Sequence, residues 1–309
     1  MTIAYLFPGQ GSQAVGMGKD LYDRSAEARA LFDRADEVLG FSISRICFEG
    51  PEEELRLTPN TQPALLVVST AARLLLDRDP AVAAGHSLGE YSALVAAGCL
   101  RFEDAVLLVH KRGLYMQEAV PVGVGGMAAV LGVPGDEVER RLAGVRSGVV
   151  EIANWNSDDQ VVISGEKTAV EEALAAIKAP RAVMLPVSAP FHSRLMKPAE
   201  ERLTADLDAI AFADPHFPIV TNVDARLIRT GEDARDALKR QVSRSVLWTK
   251  SMAVMKDLGV DACVECGPGK VLAGLIKRIS RGWPKPPAIH NVESFEGAEK
   301  ARAALFGLL

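Results

Sequence analysis

Gly85-His86-Ser87-Leu88-Gly89 decides how the rest of the chain is read. The five residues follow a short apolar run, Ala81 to Ala84, and lead into a helix-like stretch, Glu90 to Ala97. That is the strand–turn–helix setting of a nucleophile elbow. A sharp turn that strains the serine backbone needs small neighbours, and both flanking positions are glycine. Such a turn lifts the hydroxyl clear of the sheet and sets backbone N–H groups beside it at a helix N-terminus. An ordinary strand-to-helix turn can carry the same pattern, so the surrounding chain has to decide.

The 309 residues are enough for a large core in one or two domains. A hydrophobic content of 48% and a charged content of 24% are those of a globular protein. The net charge of −5 gives no global basic field for nucleic acid. No apolar run is long enough to cross a membrane, and Met1-Thr2-Ile3-Ala4-Tyr5 has no basic leader segment, so a cytoplasmic location is expected. Cys263 and Cys266 form a C-x-x-C inside a strand-like run, where positions three apart face opposite ways. With Cys47 and Cys99 far off, buried thiols are expected and no metal site.

Ile3 to Phe7 reads as a strand that runs into the glycine loop Pro8-Gly9-Gln10-Gly11-Ser12-Gln13. Gly9, Gly11 and Ala14 fit G-x-G-x-x-A, but Gly16 and Gly18 leave no clean helix start, and no second strand ends in an acid about twenty residues on. The loop reads better as a source of backbone donors for something other than a dinucleotide. Helices are expected over 25–39, over 61–76 with Thr61 as cap and Pro63 in the first turn, and over 102–119. By pattern alone Arg112 belongs to a solvated basic turn with His110 and Lys111. After the break at 121–126 the order is strand, helix, strand, strand, helix, strand, ending at Val187, which is the ferredoxin-like arrangement. An exit loop, 188–193, rejoins the main domain. Beyond it come helices at 198–210, 233–241, 249–258 and 270–279 and strands at 217–223 and 262–266; Pro215 and Pro218 suit an edge strand. The fold class expected is α/β: an α/β-hydrolase-like large domain with a parallel sheet, residues 1–124 and 190–309, and an inserted ferredoxin-like small domain, residues 125–189.

A serine hydroxyl needs a base. Of the five histidines, His86 adjoins Ser87 on a turn where neighbouring side chains diverge; His110 lies in a helix, His216 beside prolines and His290 near the end. His192 sits where the insert rejoins the main domain and a cleft would open, so elimination favours it.

Six motifs in order make the chain resemble the malonyl-CoA:acyl carrier protein transacylases of fatty acid synthesis. They are Phe7 to Gln13; Gly85 to Tyr91; Arg112-Gly113 with Met116-Gln117; Asn154 to Ser157 with Gln160 to Val162; Phe191-His192-Ser193; and Trp248-Thr249 with Gly267 to Leu272. The resemblance spans almost the whole chain. It implies that Ser87 is acylated, that His192 is its base and then its acid, and that the backbone carbonyl of Gln241 orients the imidazole. It implies an oxyanion hole from the N–H groups of Gln10 and Leu88, with Arg112 gripping the malonyl carboxylate and Met116, Asn156 and Phe191 around the substrate. It implies CoA thioesters and acyl carrier protein as partners, no cofactor, and a monomer. Two positions depart from the family's pattern: Ser245 stands where many members have proline, and Arg194 follows Ser193 where a small residue is common. The rival readings are an α/β-hydrolase-type serine thioesterase or hydrolase, which wants an acid between serine and histidine in chain order, and an acyl-loading subunit of a malonate decarboxylase or polyketide system.

Overall fold

The computed structural model describes residues 1–187 and 189–307. Ten strands follow one another along these residues: β1 (Ile3–Phe7), β2 (Val82–Gly85), β3 (Gly125–Leu131), β4 (Val150–Ser157), β5 (Gln160–Glu166), β6 (Arg181–Met184), β7 (Ile219–Val220), β8 (Leu227–Ile228), β9 (Ala262–Cys266) and β10 (Ala288–Val292). They form two sheets. The larger runs β10-β9-β1-β2-β7-β8, parallel except for the β7–β8 hairpin. The smaller runs β4-β5-β3-β6, and its pairs are antiparallel. That order, threaded by the helices Gly135–Leu142 and Lys167–Ile177, is the ferredoxin-like one. The molecule is thus α/β, with a parallel sheet of α/β-hydrolase type and a separate antiparallel sheet.

The parallel sheet is buried on both faces, as continuous apolar strands require. On β1, Ile3, Tyr5 and Phe7 enter one core cluster while Ala4 and Leu6 enter another. Cys263 and Cys266 divide between the same two clusters, so their thiols do point apart. Burial pushes both thiols up, Cys263 to about 12. β1 lies at the centre, and the carboxyl ends of β1 and β2 carry the glycine loop and the elbow side by side. A crevice beyond the carboxyl ends of parallel strands is where such sheets bind ligands.

Several expectations need correcting. The long buried helix begins at Thr58, with Pro59 in its first turn, and Pro63 lies inside it. The missing N–H of Pro63 releases the Pro59 carbonyl, which instead accepts a hydrogen bond from His110 Nδ1 at 2.9 Å. Thr61 is no cap; its hydroxyl donates to the Leu55 and Leu57 carbonyls. The expected edge strand at 217–223 shrinks to β7, which lies inside the sheet between β2 and β8. Pro218 is tolerated there because it supplies only its carbonyl, to the Ala83 N–H. Asn156 and Ser157 finish β4, and β10 follows the proline-rich stretch of the tail. Ser188, in the expected exit loop, and residues 308–309 lie outside the described residues.

Candidate active site

The elbow forms between β2 and the helix Gly89–Ala96. Ser87 has φ 52°, in the left-handed region that residues with a Cβ rarely occupy. A Cβ on Gly85 would come within 1.9 Å of the Gly89 backbone, so the turn closes only without one. The strain is held by flanking bonds. Asn222, just past β7, accepts from the Ser87 N–H at 2.7 Å and donates from Nδ2 to the Gly85 carbonyl at 2.6 Å. Gln241 Nε2 donates to the Ser87 carbonyl at 3.0 Å.

Ser87 Oγ lies 2.7 Å from His192 Nε2. His192 also has a left-handed backbone, φ 58°, and is buried. Its Nδ1 faces two carbonyls, Gln241 at 3.0 Å and Arg244 at 3.2 Å. Carbonyls only accept, so Nδ1 carries the proton and Nε2 presents its lone pair to the serine hydroxyl. Burial, and next the charge of Arg112, hold the imidazole down at about 3, against a partial opposing effect from the Gln241 carbonyl. The free imidazole is therefore neutral and in the tautomer of a general base. Asp158 and Asp159, which lie between Ser87 and His192 in chain order, sit at the β4–β5 turn, where Asp159 accepts from Ser157.

Arg112 is not in a solvated turn. It is 1% exposed, because it falls on the buried stripe of the helix Phe102–Glu118 with Ala105, Leu108, Val109 and Met116. Its guanidinium donates to Gln62 Oε1 at 2.8 Å, to Gln241 Oε1 at 3.0 Å and to Ser87 Oγ at 3.1 Å. The Tyr91 ring lies 5.4 Å away. Among the described residues Arg112 forms no ion pair, and its Nε has no hydrogen-bond partner. A buried cation held, among the described residues, by amide and hydroxyl oxygens beside the Ser87 hydroxyl has the charge and the donors to pair with a carboxylate.

Ser87, His192 and Arg112 share the wall of a cavity of about 120 Å³ with Gln10, Leu88, Met116 and Phe191. It is far below the ~300–1,000 Å³ of drug-sized sites, and suits a small acyl group. At His192 it meets an outer cleft of about 820 Å³, lined by Trp155, Arg194, Arg244 and Leu247, wide enough for a long substrate arm. Asn156 turns away from the cavity and bonds His86 Nε2 at 2.8 Å, leaving Asn154 in the lining. Ser245, in place of proline, donates to the Ile152 carbonyl, while Val246 N–H donates to the Ala153 carbonyl at 2.8 Å; both tie the segment after Gln241 to β4. Arg194 pairs with Glu151 at 2.7 Å at the cleft mouth.

Gln62, Glu90 and Asn222 were not singled out by sequence. The signal for Gln62 was a glutamine in an otherwise apolar helix; Asn222 follows a two-residue strand and gave none.

The profile of the acyl transferase domain family matches residues 4–288. The malonyl CoA-acyl carrier protein transacylase of Bacillus subtilis is 46% identical over 302 residues, covering 95% of each chain. A solved acyl-carrier-protein-S-malonyltransferase from Bartonella henselae superposes with a TM-score of 0.95 at 41% identity, over 100% of both chains. A malonyl-transacylase solved in complex with a type II polyketide acyl-carrier protein superposes with a TM-score of 0.94 at 42% identity, over 97% of this chain and 99% of that one. A family profile over most of the chain and a relative of matching length agree with the site's geometry: the chain belongs to the acyl transferase domain family, among the malonyl-CoA:acyl carrier protein transacylases.

Proposed function

We propose that this chain transfers a malonyl group from malonyl-CoA to the phosphopantetheine thiol of an acyl carrier protein, in two steps through a malonyl ester on Ser87, supplying fatty acid chain elongation. In the first step His192 Nε2 takes the Ser87 proton as Oγ attacks the thioester carbonyl. The N–H groups of Gln10 and Leu88 hold the oxyanion, each worth about 3 kcal/mol in comparable sites. The C–S bond breaks, and His192 returns the proton to the CoA sulfur. The carrier thiol then repeats the path in reverse, giving its proton to His192 and taking the acyl group from Ser87. Arg112 selects the acyl group; Met116 and Phe191 wall it in, and the Gln241 carbonyl keeps the imidazole in register. Asn156 acts through His86.

The observation that carries this reading is Arg112, buried 3.1 Å from the nucleophile and without an ion pair among the described residues. An uncharged acyl group would leave its charge unmatched. No step calls on a cofactor. Among the described residues no helix is long and apolar enough to cross a membrane; the reading takes the chain as a cytoplasmic monomer that meets its carrier transiently. It also divides the chain into residues 1–124 with 190–309, and an inserted unit, 125–189.

The test is intact mass after brief incubation with malonyl-CoA, wild type against Ser87→Ala, followed by addition of phosphopantetheinylated carrier. A malonyl adduct that requires Ser87 and moves to the carrier is expected. An adduct lost to water equally fast with or without carrier would instead make the chain a hydrolase.

A further inference from the structure

The helix that leaves the elbow opens with a carboxylate that the mechanism above does not use. Glu90 is 1% exposed and forms no ion pair among the described residues. Its Oε2 accepts from two donors, Gln241 Nε2 at 2.8 Å and the Asn222 N–H at 3.0 Å. Those two residues control the reacting groups. Asn222 holds the Ser87 N–H. Gln241 holds the Ser87 carbonyl, the His192 ring through its own carbonyl, and Arg112 through Oε1.

The chemistry fixes the directions. An ionised carboxylate only accepts hydrogen bonds, so Gln241 must turn its NH2 toward Glu90 and its oxygen toward Arg112. Were Gln241 flipped, its NH2 would face the guanidinium, donor against donor. A neutral residue at position 90 weakens one of the two anchors of that NH2 and can itself donate, against the Gln241 and Asn222 donors. The Glu90 oxygen, the Ser87 carbonyl and the Arg112 guanidinium together set the orientation of an amide that touches nucleophile and selector and whose backbone orients the base.

We propose that Glu90 is a positioning residue for acyl transfer, its carboxylate orienting Gln241 and Asn222 and through them Ser87, His192 and Arg112. The proposal rests on the acyl-transfer reading of the site. It demands that Glu90 be ionised while the enzyme works. Burial, the largest influence, raises Glu90 to about 7, and the hydrogen bonds from Gln241 and Asn222 and the charge of Arg112 oppose it. The other charged or titratable groups facing it are Asp224, kept low chiefly by its bond from Arg240, and Tyr91, pushed up to about 12 by burial. Arginine does not lose its proton in proteins, so near neutrality Glu90 is the member of this group that changes charge.

The experiment is the pH dependence of single-turnover Ser87 malonylation, by rapid quench and intact mass, in wild type, Glu90→Gln and Glu90→Asp. Wild type should lose rate below about pH 7, approaching tenfold per unit. Glu90→Gln, of the same shape, should be slower by on the order of 10- to 100-fold at pH 8, the cost of misplaced groups, and its rate should be flat with pH through this range. Glu90→Asp keeps the charge but draws it back by one methylene; it should lose rate yet keep a pH limb, which separates the two variants even if one of them folds poorly. A wild-type rate in either variant, or a limb that survives in Glu90→Gln, overturns the proposal and leaves the transferase reading standing. Absence of any Ser87 adduct in wild type overturns both.

Discussion

Ser87 and His192 are both held in the left-handed backbone region, at φ 52° and 58°, and their side chains meet at 2.7 Å. Two non-glycine residues carry a conformation that costs about 1–3 kcal/mol each, on either side of one hydrogen bond. The strain at Ser87 is therefore separable from its chemistry. Ser87→Gly and Ser87→Ala should both abolish acylation, but only glycine relieves the backbone. Glycine should be more stable than alanine at this position by about 1 kcal/mol, despite its larger entropy loss on folding. Urea denaturation of the two variants decides it; alanine as stable as glycine would mean that the turn is not strained.

Arg112 does two things in the free enzyme. On the proposed reading it waits for a carboxylate, and after burial it is the largest influence that holds His192 low. Arg112→Ala should lose malonyl transfer by about 10²–10³-fold in kcat/KM, the worth of two charge-assisted hydrogen bonds. It should gain acetyl transfer relative to malonyl, because no buried charge is left unpaired. It should also raise the pKa of His192 from about 3, read from imidazole nitrogen shifts across a pH titration. A variant that keeps its malonyl preference would remove Arg112 from the selection step.

The parts of this site visible in the sequence are local ones. The elbow is a contiguous string with a strand before it and a helix after it, and the glycine loop follows the first strand directly. Arg112 was misread from pattern because His110 and Lys111 beside it look solvated, while its own place on the stripe with Leu108 and Met116 shows only in the three-dimensional packing. Glu90, Asn222 and Gln241 meet across 132 and 151 positions of chain, and no short-range rule joins them. β10 was missed because prolines precede it and its pairing partner, β9, lies on the far side of a helix and a turn. Apart from the family motif, His192 emerged from the residues by elimination alone, since its contact with Ser87 spans 105 positions.

A second buried carboxylate makes a stability prediction independent of catalysis. Glu265, on β9, accepts from the Leu272 and Ala273 N–H groups at the start of the helix Val271–Ile279. Burial raises it from 4.5 to about 7, more than those bonds lower it. Below 4.5 it is neutral in both folded and unfolded chains. Between 4.5 and 7 the unfolded chain ionises while the folded one still holds its proton, so stability is lost as pH rises, and above 7 the loss is complete. Glu265→Gln lacks this loss. The stability of the variant relative to wild type should therefore rise across pH 4.5 to 7 by on the order of 3 kcal/mol. Denaturant midpoints measured at pH 4.5 and 8 test it, and a difference that does not change with pH would place the Glu265 ionisation elsewhere.

The proposed oxyanion donors can be tested without touching a reacting side chain. A Cβ on Gly9 would lie 2.3 Å from the His86 carbonyl oxygen, a backbone atom of the elbow that cannot swing aside. Gly9→Ala must push the glycine loop away from Ser87, and the Gln10 N–H moves with it. The Ser87–His192 bond and the Arg112 contacts arise from other elements and stay. If the Gln10 N–H stabilises the oxyanion, kcat should fall by about 10²–10³-fold, the cost of one lost donor. The KM for malonyl-CoA should change little, because that donor acts on charge that appears only in the transition state. An unchanged kcat in a folded variant would exclude Gln10 from the oxyanion hole. A rise in KM with kcat intact would assign the loop to holding the substrate instead.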